Sequence, residues 1–296
     1  MTATFDGLIP PMISPLLPDG AIDSLGLAAH VERLITGGVD GLFVLGTSGE
    51  GPLLDVARTH KIIAKTVEAS AGRVPVLAGI LEPSTPRALE AARSAADCGA
   101  DAVVATTPYY VEADDHGIHD HFLQLADRSP LPLILYNIPS KTHHVLTPDI
   151  VAQIVDHPNI VGIKDSHGDW AAFERLLALR RPGFTVLQGA ERLSAKSLLA
   201  GGDGLVPGLG NIVPELFTSI IACVKAGDAD TALTLQAQAD ELGTLHTYGH
   251  WLTCLKYATS RLGLTHPDTF VSASPLSDAA RAAIDALVAA RQGDTA

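Results

Sequence analysis

Asn159-Ile160-Val161-Gly162-Ile163-Lys164-Asp165-Ser166 is a short apolar run that ends in a cation. A run of this length, bounded by polar residues, predicts a buried strand with Lys164 at its mouth. An ammonium delivered there gives up hydration, which favours the neutral, nucleophilic amine. The plainer alternative is a lysine that snorkels out of the sheet end. The other six lysines are Lys61, Lys65, Lys141, Lys196, Lys225 and Lys256, and none of them ends a β-branched strand.

The same pattern repeats outward from this run. Apolar segments at 7–14, 41–45, 74–78, 102–105, 131–136, 160–164, 185–188 and 204–206 predict eight strands. Amphipathic stretches at 24–36, 54–70, 86–97, 148–156, 170–179 and 193–199 predict helices between them. Glycines close helices or open strands at Gly37-Gly38, Gly99 and Gly201-Gly202. Strands alternating with helices imply a parallel sheet. Eight such units predict an α/β fold, a TIM (β/α)8 barrel, over residues 1–212. A doubly wound open sheet is the alternative. It usually carries a GxGxxG turn after its first strand, whereas this strand runs into Pro15-Leu16-Leu17-Pro18-Asp19-Gly20. From 213 to 296 helical patterns follow one another, at 214–226, 231–242, 251–262 and 278–291. They predict a C-terminal helical extension packed on the barrel, with a frayed end at 292–296.

The 296 residues are 47% hydrophobic and 18% charged, which fits a globular protein with a large core. The formal net charge of −13 and the lack of any Lys/Arg cluster argue against nucleic acid or an anionic membrane as partner. No apolar run approaches membrane-spanning length. Met1-Thr2-Ala3-Thr4-Phe5-Asp6 has no basic region leading into an apolar stretch, so no signal peptide is expected. Cys98, Cys223 and Cys254 are widely spaced and form no CxxC. Free thiols and a cytoplasmic location are the expectation.

In a barrel the site lies at the C-terminal strand ends. Polar residues collect there: Gly46-Thr47-Ser48-Gly49-Glu50-Gly51, Thr106-Thr107-Pro108-Tyr109-Tyr110, Tyr136-Asn137-Ile138-Pro139, Lys164-Asp165-Ser166 and Gln188-Gly189-Ala190. Small residues and free N–H groups at a helix start would let Thr47 and Ser48 hold a carboxylate. A tight turn with a Ser/Thr cap and Glu50 in the first helical turn is the alternative. Tyr136 is a phenol able to shuttle protons beside an amine, or else a buried ring with a wet hydroxyl. Three of the five tyrosines fall at strand mouths, a bias toward function. In Asp114-Asp115-His116-Gly117-Ile118-His119-Asp120-His121 a solvated helix start outweighs a metal site on His116 and His119, and no metal is expected. His143-His144 is placed to line the mouth.

GTSGE (46–50), TPYY (107–110), YNIP (136–139) and GIKDS (162–166) stand in the order and spacing of a known family. The chain resembles the pyruvate-dependent class I aldolase superfamily, which includes dihydrodipicolinate synthase, N-acetylneuraminate lyase and 2-keto-3-deoxy-sugar-acid aldolases. The resemblance spans nearly the whole chain. It implies a Schiff base between Lys164 and the C2 carbonyl of pyruvate or a related 2-oxo acid, with Tyr136 as proton carrier. It implies that Thr47 links Tyr136 to Tyr110 of a neighbouring subunit, that Thr47 and Ser48 hold the substrate carboxylate, and that Gly189 and Val206 line the pocket. It implies no metal or organic cofactor, since the iminium is the electron sink, and a homotetramer built from two tight dimers. One position departs. The synthases carry a substrate-gripping arginine five residues after the YNxP tyrosine, where this chain has Lys141, which lacks the planar fork. The leading expectation is therefore a lyase that makes or cleaves a C–C bond. The synthase reaction with aspartate semialdehyde, a dehydratase using the same imine, and a non-catalytic 2-oxo acid sensor stand as alternatives.

Overall fold

Eight parallel strands form the ring that the alternation predicts. In the computed structural model, which describes residues 5–293, they are β1 (Gly7–Leu8), β2 (Leu42–Val44), β3 (Val76–Gly79), β4 (Ala102–Thr106), β5 (Leu133–Asn137), β6 (Ile160–Asp165), β7 (Thr185–Gln188) and β8 (Gly204–Leu205). They pair in the order β1-β8-β7-β6-β5-β4-β3-β2. A parallel bridge from Pro11 to Phe43 closes the ring, and the Met12 N–H donates to the Phe43 carbonyl at 2.8 Å. The first strand is shorter than the predicted 7–14. Pro10 and Pro11 have no N–H for a ladder, so regular pairing stops at Leu8.

The strands read as unbroken apolar runs because both faces are covered. In β5, Ile134 and Tyr136 join the barrel interior with Phe43, Leu77, Val104 and Leu187, while Leu133 and Leu135 join the layer under the helices. The period-2 alternation is thus between two apolar layers.

The helices are α1 (Ser24–Thr36), α2 (Val56–Ser70), α3 (Thr85–Asp97), α4 (Asp115–Arg128), α5 (Pro139–Thr142), α6 (Pro148–Ile154), α7 (Trp170–Leu177), α8 (Ser194–Leu199), α9 (Pro214–Lys225), α10 (Ala229–Gly243), α11 (Trp251–Ser260) and α12 (Asp278–Gly293). Side-chain caps from Asp23, Asp55, Asp114, Thr147, Asp169 and Asp228 satisfy orphan amides at six of their starts. The solvated helix start read at 114–121 is the first half of α4. The last helix runs past Arg291 to Gly293. Residues 1–4 and 294–296, which include part of the segments read for a leader and a frayed tail, lie outside the described residues. The helices from α9 onward lie in the C-terminal helical extension, and α11 packs against α12. Cys98, Cys223 and Cys254 are free thiols. Among the described residues no helix is long and apolar enough to cross a membrane.

Candidate active site

Strand register brings the central pair together. Tyr136 on β5 is the Cα partner of Lys164 on β6, and Thr106 on β4 is the partner of Tyr136. Partners in register face the same side, so Tyr136 and Lys164 both point into the barrel. Tyr136 is 2% exposed and Lys164 4%. The Lys164 Nζ lies 4.0 Å from the Tyr136 ring centroid and 5.0 Å from that of Phe43. The two rings meet edge to face at 82°. Among the described residues Lys164 has no ion-pair partner. Two ring faces hold the amine in place and no carboxylate fixes its charge. The snorkelling alternative is thereby overturned: the lysine turns inward.

Gly189 makes room for the lysine. A Cβ there would sit 2.9 Å from the Lys164 Cε and 2.1 Å from the Ser166 Oγ, so no larger residue fits beside the stem. Val206 is buried in the same interior cluster. Outside the ring the neighbouring residues lock the strand ends. The Asn137 side-chain amide donates to Asp165 at 2.6 Å and accepts from the Leu146 N–H at 3.0 Å. Burial pushes the Asp165 carboxyl above its ordinary range, partly offset by the bond from Asn137.

The Thr47 hydroxyl lies 3.4 Å from the Tyr136 hydroxyl. Ser48 is 6% exposed, and among the described residues neither the Thr47 nor the Ser48 amide is spent on a backbone bond. The loop does not open a long helix as its sequence suggested. A 3-10 turn (Gly51–Leu53) follows it, and α2 starts only after the Asp55 cap. The donors around Thr47 are loop amides without an aligned helix behind them. The loop is held by other means: Ser14 donates to the Gly49 carbonyl at 2.6 Å, and Glu50 adopts a left-handed backbone, φ 59°. Strain concentrates here. Of the five non-glycine residues with positive φ among the described residues, Leu45, Glu50, Tyr110 and His143 all lie in loops after β2, β4 and β5.

A cavity of about 250 Å³ continues outward from Thr47. Thr106, Tyr109, Lys141, His250 and Trp251 are among its walls. Lys141 lies with its Nζ 5.6 Å from the Trp251 ring centroid. Burial and the nearby Lys141 charge lower the His250 pKa. His144 accepts from the Ala113 N–H at 2.9 Å and donates to the Thr142 carbonyl at 2.8 Å, so it ties two mouth loops together. His143 is exposed. Tyr110 stands apart from the site of its own chain: it is 96% exposed, with φ 75°.

Three features escaped the sequence reading. Lys256 is fully buried, and its Nζ donates to Glu50 at 2.7 Å. The signal was present, because Leu252, Leu255, Lys256 and Thr259 share one face of α11 at helical spacing. The walls from His250 and Trp251 were missed because the extension was read as packing only. His121 is buried, bonded to the Thr85 hydroxyl at 2.9 Å and to the Thr106 carbonyl at 3.2 Å, and burial lowers its pKa to about 4. His116, His119 and Asp120 do approach one another, on an exposed face of α4.

The family model for the dihydrodipicolinate synthetase family matches residues 4–291. The 4-hydroxy-tetrahydrodipicolinate synthase of Hyphomonas neptunium is 34% identical over 287 residues, covering 96% of this chain and 98% of that protein. A probable 2-dehydro-3-deoxy-D-pentonate aldolase of Escherichia coli is 36% identical over 265 residues, 88% of each chain. Among solved structures, the pyruvate complex of YagE, an Escherichia coli K12 prophage protein of the dihydrodipicolinic acid synthase family, superposes with a TM-score of 0.92. It is 31% identical, covering 97% of this chain and 98% of that one. Likeness in sequence and likeness in backbone course agree along nearly the full length, and the chain belongs to the dihydrodipicolinate synthetase family, whose members are lyases of the class I aldolase type.

Proposed function

We propose that this chain makes or cleaves a C–C bond through an imine between Lys164 and pyruvate, or a closely related 2-oxo acid. The observation that carries the reading is the inward Lys164 amine beside the Tyr136 phenol, itself within reach of Thr47. The Lys164 amine adds to C2 of pyruvate, and one of its N–H protons passes through Tyr136 to the carbonyl oxygen, which gives the carbinolamine. Loss of one water gives the iminium. Loss of a C3 proton gives the enamine, with the electron pair spread toward nitrogen. In the condensing direction C3 attacks an aldehyde carbon and the aldehyde oxygen takes a proton. One water then hydrolyses the iminium and frees Lys164. Thr47 and Ser48 hold the substrate carboxylate, which fixes the reacting carbon over the amine.

The same reading divides the chain into a barrel, 1–212, that carries the lysine, and an extension, 213–296, packed on it. It assembles the protein as a homotetramer of two tight dimers in the cytoplasm. Tyr110, a nearly fully exposed aromatic on a strained backbone, supplies the far end of the relay to a second copy. A second reading, condensation with aspartate semialdehyde, draws on the relatives of that name. Lys141, in place of a forked cation, weighs against it.

The experiment needs no second substrate. In deuterium oxide the enzyme should exchange the methyl protons of pyruvate for deuterium, since every enamine formed loses one. Absence of exchange would sink the imine. Mixing inactive Lys164→Ala and Tyr110→Phe subunits should restore part of the activity, and no restoration would confine the relay to one chain.

A further inference from the structure

We infer that the buried Lys256–Glu50 pair is a positioning device through which the C-terminal extension sets the pyruvate-carboxylate loop. The inference rests on the function proposed above and assigns roles to two residues outside its chemistry.

Both side chains are 0% exposed, and the Lys256 Nζ donates to the Glu50 Oε1 at 2.7 Å. The second carboxylate oxygen accepts from the Phe270 N–H at 2.6 Å. Glu50 therefore grips the extension at two points, on α11 and on the segment that follows it. The two residues are 206 positions apart in sequence. Nothing local in the 46–51 loop requires an ion at its end, because Ser14 and the loop's own turns already hold its backbone.

Glu50 is also where the loop is strained. Its φ of 59° is a conformation that glycine or asparagine adopts more readily than glutamate. The Glu50 N–H donates to the Thr47 carbonyl at 3.3 Å, and its own carbonyl accepts from Leu53 at 2.8 Å. A shift of Glu50 is thus passed directly to Thr47, whose hydroxyl stands 3.4 Å from that of Tyr136. Glu50 and Thr47 wall the same cavity, together with Leu252 and Val271 of the extension. An ion pair held out of water has strict geometry and few alternatives. That suits a group that must keep a two-hydroxyl carboxylate cradle in register with an amine on the other side of the ring. Stability alone does not explain the pair, since apolar residues of similar volume serve as well or better in that role.

The test compares Glu50→Gln, Lys256→Met, the double variant Glu50→Gln/Lys256→Met and Lys256→Arg in the full-length protein. The readouts are melting temperature, KM for pyruvate and the rate of pyruvate C3 exchange at saturation. In either single variant a charge is left without its partner, and melting temperature and pyruvate affinity fall together. The double variant is decisive. Removing both charges restores the melting temperature to near that of the wild type, while KM for pyruvate stays raised about ten-fold or more. Lys256→Arg keeps the charge and recovers most of the affinity. Return of KM to the wild-type value together with stability in the double variant would reduce the pair to a structural one. Failure of the double variant to fold while Lys256→Arg folds with wild-type KM would do the same. Absence of exchange in the wild type would instead strike at the imine, so the two failures are distinct.

Discussion

Two lysines are buried in this molecule, and their surroundings are opposite. Lys256 faces a carboxylate at 2.7 Å and is wholly enclosed. Burial pulls its pKa down while Glu50 pulls it back up. Lys164 faces two aromatic rings and has no carboxylate partner among the described residues. The comparison shows that burial alone does not make a lysine chemical. A paired lysine is committed to its partner, and its electron pair is unavailable. Lys164 meets ring faces and no carboxylate among the described residues, so no ion pair has to break before its nitrogen reaches a carbonyl carbon. One is tied through Glu50 to the loop carrying Thr47 and Ser48, and the other is the proposed nucleophile on β6.

Exchanging the roles should fail most severely at Lys164. Lys164→Met should abolish pyruvate exchange while leaving melting temperature within a few degrees, because the methionine still fills the space between Phe43 and Tyr136. Residual exchange would show that another amine serves. Next in size, Tyr136→Phe keeps the ring against the amine and removes only the proton carrier. Turnover should fall by about 10²–10⁴ with the fold intact, as expected for loss of one positioned acid–base group. Near-normal rates would remove the phenol from the mechanism.

Lys256→Met should show a different pattern, in which stability and pyruvate affinity fall together while Lys164 itself is untouched. Leaving Glu50 buried without its cation should cost about 3–5 kcal/mol in urea unfolding. A cost below about 1 kcal/mol would mean that the pair is not held as tightly as its geometry indicates.

A separate effect, spread over a pH range, is on acid stability. His30, bonded to Asn211 at 2.8 Å, and His121 both have pKa values lowered to about 4, chiefly by burial. In the unfolded chain they take up protons near pH 6.5. Stability is therefore greatest above that value and declines as pH falls from about 6.5 toward 4, by roughly 3 kcal/mol per histidine at most. His121→Gln should flatten this decline by about half. An unchanged pH dependence of urea unfolding would show that His121 titrates normally.

The barrel was legible because every strand is apolar on two faces and every helix on one, so the change in period marks each element. Lys164, Tyr136 and Thr47 were legible because a polar residue at the end of an apolar run has one place to go, the mouth. Local pattern did not carry what depends on distant contact. Pro10 and Pro11 shortened the first strand through a ladder they cannot join. Glu50 read as a first-turn acid, because its partner lies 206 residues away on a helix read as packing. Tyr110 read as a member of the site, yet in one chain it faces outward, and only assembly would bring it to a relay.

Lys164, and not its better-buried counterpart, is the proposed captor of the ketone. Treatment with pyruvate and borohydride, followed by peptide mass mapping, tests it most directly. One reduced adduct is expected, on the peptide containing Lys164, with Lys256 unmodified. An adduct on any other lysine, or none at all under conditions where pyruvate is turned over, would contradict it.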